Sequence, residues 1–278
     1  MICVTLVKLM EKITLLGTGC AMVTKCYNTC FILSDDLYNE SFLVDCGGGN
    51  TILANLEKSG EDIGKIHNIF ISHAHSDHII GIIWLIRAVG EQILKNKYDG
   101  NLNIYCHKTI IDSIKTICYP TLQKKITNFF ESRIIFKEIS DKYETNILEY
   151  DITFFDIGST KDLQFGFTTI LKSGKKFTFL GDEPYRESLY EYALDADYLL
   201  HEAYCLFSEK DKFKPYEKSH VTVKDACENA AKLGVKNLIL YHTEDKNMLE
   251  RKRLYRSEGK EYFNGNIFVP DDLEVIQL

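Results

Sequence analysis

The chain has 278 residues, 45% hydrophobic and 26% charged, with a formal net charge of -7. This is the composition of a globular protein with enough apolar sequence for a sizeable core. It excludes a disordered or low-complexity chain, and the negative balance leaves no broad basic field for a nucleic-acid backbone.

The N-terminal MICVTLVKL (1–9) is apolar but short. It lacks a basic lead and a small-residue cleavage site, so it reads as an extension or an alternative start rather than a signal peptide. Short β-type runs follow in order: KITLLG (12–17), TCFILS (29–34), SFLVDC (41–46), HNIFIS (67–72) and LNIYC (102–106). A second series comprises RIIFKEI (133–139), DITFFDI (151–157), FGFTTIL (165–171), KFTFLG (176–181), YLLHE (198–202) and NLILYH (237–242). Between them, NTILANLEKSG (50–60) predicts a helix closed by glycine, and DHIIGIIWLIRAVGEQILKN (77–96) a long, largely covered one. TVKDACENAAKLG (222–234) opens on a threonine cap with aspartate three positions later and ends in glycine. Strands interleaved with helices predict an α/β fold. The early strands run on without helices between them, so the sheets should be mixed.

No Gly/Ser-rich linker or internal repeat interrupts the chain, which predicts one domain over 1–278. Nine cysteines without a Cys-x-x-Cys suit a reduced, cytoplasmic compartment. No apolar run reaches the roughly 20 residues that span a bilayer, so no membrane partner is expected. The basic cluster Arg251, Lys252, Arg253 and Arg256 reads as a solvated helix face.

The segment HAHSDH places His73, His75, Asp77 and His78 within six positions, directly after a strand. In extended backbone His73 and His75 point to one side, whereas Asp77 and His78 open a helix and project differently. The segment therefore offers ligands to two neighbouring points. Imidazole and carboxylate suit zinc, manganese or iron. Two later strands end in the residue types needed to complete such sites, FTFLGDEP in Asp182 and NLILYHTED in His242. A carboxylate has two oxygens, so Asp182 could bridge two ions.

These motifs resemble the metallo-β-lactamase superfamily, whose signature is H-x-H-x-D-H, and within it the ribonuclease Z branch. ITLLGTGCAMVTKCYNTCFIL is similar to that branch's opening, with Tyr27 where arginine is usual. LVDCGGGN, LGD, LLHEAY and SHVTVKDACENAAKLGVKNLILYHT resemble its later motifs, with Tyr204 and Val221 as departures. The resemblance covers about residue 12 to the end. It implies a four-layer αββα sandwich with metals at one edge between two mixed sheets. It implies that His73 and His75 hold a first ion, that Asp77, His78 and His242 hold a second, and that Asp182 bridges them. One or two zinc ions are expected, with manganese or iron as alternatives. Asp45 is expected to orient a ligand, and Asp77, His220 and Glu202 to act in the chemistry.

The expected activity is metal-dependent hydrolysis, in which a bound metal lowers the pKa of its water toward about 7. The substrate expected is a small or nucleotide-like phosphodiester, with His220 as general acid oriented by Glu202. Alternatives on the same fold are a lactonase or thioesterase, an iron oxidoreductase, and a non-catalytic metal-binding protein. A homodimer is a further candidate assembly.

Two departures qualify the resemblance. The family's third-motif histidine falls at Thr160, and no histidine lies between His107 and His201. The first site is thus one ligand short, with water, Thr160, Asp156 or Asp162 as candidates to fill it. The branch's transfer-RNA-gripping arm lies between the third and fourth motifs, yet Phe167 and Asp182 are only 15 positions apart. Transfer RNA is therefore not the expected substrate.

Overall fold

A computed structural model describes residues 11–35 and 40–278. The reading of residues 1–9 as an extension lies outside them. The first sheet contains β1 (Glu11–Gly17), β2 (Cys30–Asp35), β3 (Ser41–Val44), β4 (Ile66–Phe70), β5 (Leu102–Cys106), β6 (Ile134–Glu138) and, at its other edge, β14 (Glu274–Gln277). The second contains β7 (Tyr143–Ile147), β8 (Tyr150–Asp156), β9 (Phe165–Ile170), β10 (Lys176–Phe179), β11 (Tyr198–Glu202), β12 (Asn237–Tyr241) and β13 (Asn266–Phe268). Their orders are β14-β1-β2-β3-β4-β5-β6 and β13-β12-β11-β10-β9-β8-β7. Each sheet is mixed. The pairs from β3 to β6 and from β10 to β13 are parallel, and the rest are antiparallel.

Period-two alternation decides how the sheets pack. In β2, Phe31 and Leu33 face the other sheet while Cys30 and Ile32 face outward. In β12, Ile239 and Tyr241 face inward while Leu238 and Leu240 face outward. The layer between the sheets is rich in aromatic rings, with Phe70 and Phe154 centroids 4.7 Å apart and Phe42 and Phe167 5.6 Å apart. Each such ring, fully buried, contributes roughly 1.5–3 kcal/mol. Both outer faces are also apolar, so each requires a helical layer.

The helices are α1 (Thr51–Ser59), α2 (Ser76–Ile79), α3 (Gly81–Leu94), α4 (Lys108–Thr121), α5 (Lys124–Thr127), α6 (Tyr190–Ala193), α7 (Lys210–Phe213), α8 (Val223–Lys232) and α9 (Arg251–Gly259). Residues of α1, α3 and α4 join the outer core of the first sheet, and residues of α8 and α9 that of the second. The result is the expected four-layer sandwich. No described helix is long and apolar enough to cross a membrane.

The structure departs from the sequence reading in several places, the unread helix α4 among them. The long helix predicted from residue 77 is two segments, α2 and α3, because the Gly81 amide donates to Gly47 O (2.8 Å) and the Cys46 amide to His78 O (2.9 Å). A glycine is required at the junction, since a Cβ on Gly81 would lie 1.9 Å from Cys46 O. Strand β7 went unread because YETNI is polar and alternates half-buried with exposed, as an edge strand does. The basic cluster is not a uniformly solvated face. Arg251 is fully buried, with its guanidinium on Thr18, Thr243, the Pro270 carbonyl and Asp271. Lys252 pairs with Asp271 and Glu274, and Arg253 with Glu250.

Candidate metal centre

The centre lies where parallel strands end. Asp45 follows β3, His73 follows β4, Asp182 follows β10, Glu202 closes β11 and His242 follows β12. Parallel strands place their C-terminal ends along one edge, so residues as far apart as Asp77 and His242, 165 positions in sequence, become neighbours. Asp45 and His242 both have positive φ, 56° each. The two strand ends therefore turn sharply as they enter the centre, in a conformation that L residues rarely adopt.

Six residues singled out from the sequence converge here. His73 Nε2 lies 2.8 Å from His75 Nδ1 and 3.6 Å from Asp182 Oδ1. His78 Nε2 lies 3.4 Å from Asp77 Oδ2 and 3.6 Å from Asp182 Oδ2. His242 Nε2 lies 3.4 Å from each of the same two oxygens. Two donor sets result: His73, His75 and one oxygen of Asp182; and Asp77, His78 and His242 with the other oxygen of Asp182. The second has four donors, the number of a closed tetrahedral zinc site, and the first has three.

The residues fit a cation. His78 Nε2 and Asp182 Oδ1 are buried and have no hydrogen-bond partner among the described residues. Unpaired buried polar atoms are costly, and two atoms that can each present a lone pair to the same centre are what a cation would satisfy. Burial opposes the ionised form of Asp182, but His73, His78 and His242 outweigh it and hold the carboxyl well below its usual range. Burial also keeps His73 far below the usual imidazole value, in the neutral form that a metal takes, whereas the neighbouring carboxylates outweigh burial and raise His78 and His242.

A second layer orients these ligands. Asp45 accepts from the Ser72 amide (2.8 Å), the Ser72 hydroxyl (2.7 Å) and His78 Nδ1 (2.8 Å). With Nδ1 engaged, His78 can only present Nε2 to the centre. Ser72 was not singled out from the sequence, although its position directly before His-x-His was visible. The Tyr27 hydroxyl sits at the arginine position of the family and bonds the Gly49 carbonyl (2.8 Å). Its ring occupies the space a Cβ on Gly47 would need, at 2.4 Å, and Gly47 has φ +67°. Gly47 thus serves close packing against Tyr27, whereas a Cβ on Gly48 would meet Asn28 and one on Gly49 nothing within 4 Å. Cys46 is buried packing.

Beside the ligands, Glu202 accepts from the Val221 amide (3.2 Å), and its other oxygen lies 2.6 Å from His220 Nδ1. Glu202 is fully buried, and burial pushes its carboxyl up to about 8; burial pushes His220 down. While the pair holds its shared proton, on Glu202 or on Nδ1, His220 Nε2 carries a hydrogen; once that proton is lost, neutral His220 donates through Nδ1 to Glu202 and Nε2 is bare. The Tyr204 ring stacks on His220 at 5.1 Å and 5°. Asp182, His220 and His242 also offer donor atoms within 4.8 Å of one another, so His220 abuts the ions' position.

The candidates for the missing ligand are not brought in. Thr160 is exposed. Asp156 accepts from the Gly158 amide and Asp162 from the Leu163 amide, each shaping its own loop. Neither belongs to a donor group among the described residues.

A family model described as anti-Pycsar protein Apyc1 matches residues 11–258. Ribonuclease Z of Enterococcus faecalis is 27% identical over 318 aligned residues, covering 96% of this chain and 97% of that protein. The metallo-β-lactamase fold protein YhfI of Bacillus subtilis superposes with a TM-score of 0.79 at 19% identity, covering 97% of this chain and 100% of that one. A diphosphatase from the PhnP family superposes with a TM-score of 0.72 at 14% identity, covering 97% of both chains.

Proposed function

This chain belongs to the anti-Pycsar protein Apyc1 family and has the metallo-β-lactamase fold of the ribonuclease Z-like branch, and on that premise we propose that it is a metal-dependent phosphodiesterase acting on a small or nucleotide-like substrate. One observation carries the reading. A buried His220–Glu202 pair, 2.6 Å apart, stands directly beside two clustered sets of N and O donors. Such a pair suits an alkoxide leaving group, which needs a proton as its bond to phosphorus breaks.

His73, His75 and Asp182 would hold one ion, and Asp77, His78, His242 and Asp182 the other. Zinc is the ion such a set favours. When bound, the ions supply Lewis acidity toward water and the phosphoryl oxygens. The chain does the rest. Asp45 fixes the ring of His78, and Asp77, held ionised by His78 and His242 against the effect of burial, brings negative charge to the second set. Glu202 steers His220 so that Nε2–H faces the leaving oxygen and donates to it. The Tyr204 ring covers the outer face of His220 and limits its rotation. The eight described cysteines are all free, in keeping with a reducing compartment.

The substrate is small on this reading because the β9–β10 connection is a tight turn, with the Leu171 amide donating to Lys175 O at 2.8 Å. The PhnP-family neighbour, a diphosphatase, has the same overall fold over nearly the full length.

Hydrolysis of bis(p-nitrophenyl) phosphate by chelator-stripped protein, before and after adding Zn²⁺ or Mn²⁺, tests the proposal. Turnover should appear only with metal. His220→Gln should lose about 10²–10⁴ of kcat while retaining its metal. Full metal content without turnover in the wild type would overturn the assignment.

A further inference from the structure

The loop that would carry the family's third histidine does something else here. At its base the Ile157 amide donates to Gln164 O (3.1 Å) and the Phe165 amide to Ser72 O (3.1 Å), so the loop is stitched beside the His73 segment. At its tip Thr160 and Lys161 are both exposed, yet the ammonium of Lys161 reaches a buried carboxylate. Lys161 Nζ lies 3.3 Å from Glu183 Oε1, with the lysine side chain 29% exposed and the glutamate 1%. Glu183 directly follows Asp182. Gln164, fully buried, donates to the same Glu183 oxygen at 3.4 Å.

An ion pair built for stability alone closes on itself, because unpaired buried polar atoms are costly. This one is left open. Glu183 Oε2 and Gln164 Oε1 are buried without a partner among the described residues; both are acceptors and call for a donor, so what the pair can offer an anion is the lysine's remaining N–H groups. An ammonium carries three donors, and only one direction of Lys161 meets Glu183. Backbone geometry places the cation: Glu183 directly follows Asp182, and the loop is bonded to Ser72, which directly precedes His73. The ammonium therefore stands beside two of the segments that carry the centre's ligands, and its charge also bears on His220.

We propose that Lys161, held in place by Glu183, is a substrate-binding residue that grips a non-bridging oxygen of the phosphodiester beside the metal centre. This rests on the phosphodiesterase reading above. The loop has exchanged a metal ligand for a tethered cation. Loss of the histidine leaves the first donor set at three, and Lys161 returns positive charge to the same side of the substrate. Glu183 is a positioning residue: it holds the ammonium and touches no substrate atom.

The test uses metal-loaded full-length protein and its Lys161→Met, Lys161→Arg and Glu183→Gln variants, each with metal content and thermal midpoint measured. KM and kcat are read on bis(p-nitrophenyl) phosphate, and the Kd of inorganic phosphate by calorimetry. Lys161→Met should raise KM and the phosphate Kd on the order of tenfold, with metal content unchanged and a lower midpoint, because buried Glu183 loses its ion-pair partner. Lys161→Arg keeps the charge and should stay within about threefold of wild type. Glu183→Gln should fall between them. Unchanged KM and Kd in Lys161→Met would overturn the proposal. So would a Lys161→Arg as impaired as Lys161→Met, because shape rather than charge would then be at stake, and so would a metal-loaded wild type that binds no phosphate. If the wild type fails to turn over the ester, the phosphodiesterase reading fails, and calorimetry decides on Lys161 by itself.

Discussion

His201 is fully buried, donates through Nδ1 to the Glu202 carbonyl (2.9 Å) and accepts from Asn229 through Nε2 (3.4 Å). Both nitrogens are used by the neutral ring, and burial lowers its pKa from 6.5 to about 4. The unfolded chain takes up a proton in that interval and the folded chain does not. This contribution to stability is therefore complete above pH 6.5 and is lost as pH falls toward 4. At ~1.4 kcal/mol per pH unit the loss is roughly 3 kcal/mol. Denaturant midpoints taken from pH 7 to pH 4 should fall more steeply for wild type than for His201→Gln; parallel curves would remove His201 from the account. Thr160 invites a second residue-scale measurement. A three-donor set should release its ion before a four-donor set, because a direct imidazole bond is missing. Chelator titration of the metal-loaded protein should show two steps. Thr160→His should bring them together if the loop can turn that side chain inward. A single step in the wild type, with two ions bound, would mean that another residue supplies the bond.

At the scale of elements, the junction of α2 and α3 holds the centre in place. His78 lies in α2, and Gly81 opens α3 against the Cys46 backbone. Ala at position 81 would collide with a carbonyl rather than a flexible side chain, and that carbonyl belongs to the residue after Asp45. Gly81→Ala should cost about 1–3 kcal/mol of stability, as overpacking does, and should also lower metal content, because Asp45 and His78 shift together. Thermal melts and elemental analysis of the same preparation check this. Loss of stability with full metal content would show that the junction and the centre are independent. Helix α8 is secured differently. Thr222 and Asp225 form a reciprocal capping box, and that cap sits two residues after His220. The helix start therefore also sets where the His220 segment leaves Glu202.

For the molecule as a whole, charge and shape bear on substrate size. The clustered basic residues of α9 are largely engaged, Arg251 internally and Lys252 and Arg253 by carboxylates. Strands β9 and β10 are joined by a short turn with no projecting arm. A long polyanion gains most of its affinity from many phosphate contacts, and the α9 cluster, its charges largely paired, offers few of them. Cleavage of a precursor transfer RNA at physiological salt should be absent or very slow. Efficient 3′ cleavage in a gel assay would show that the surface recognises RNA without an arm.

Much of the fold and of the centre was legible in the sequence because it is written in local patterns. Period-two runs marked most strands. Glycine stops and a capping box marked α1 and α8, and HAHSDH, LGD and the strand ending in His242 marked the donors. Their types and spacing follow from coordination chemistry and backbone geometry, which act within a few residues. Other features needed the assembled structure. That Ser72 and Asp45 fix His78, that Gly81 divides a helix against Cys46, and that Arg251 is buried among β1, β12 and the closing strands all depend on contacts between distant segments. Likewise Lys161 looks like any surface lysine until Glu183, 22 positions later, is folded beside it. The reason is physical: local pattern determines what a residue can do, whereas burial and partners, which set its charge state and direction, arise only when the two sheets close on each other.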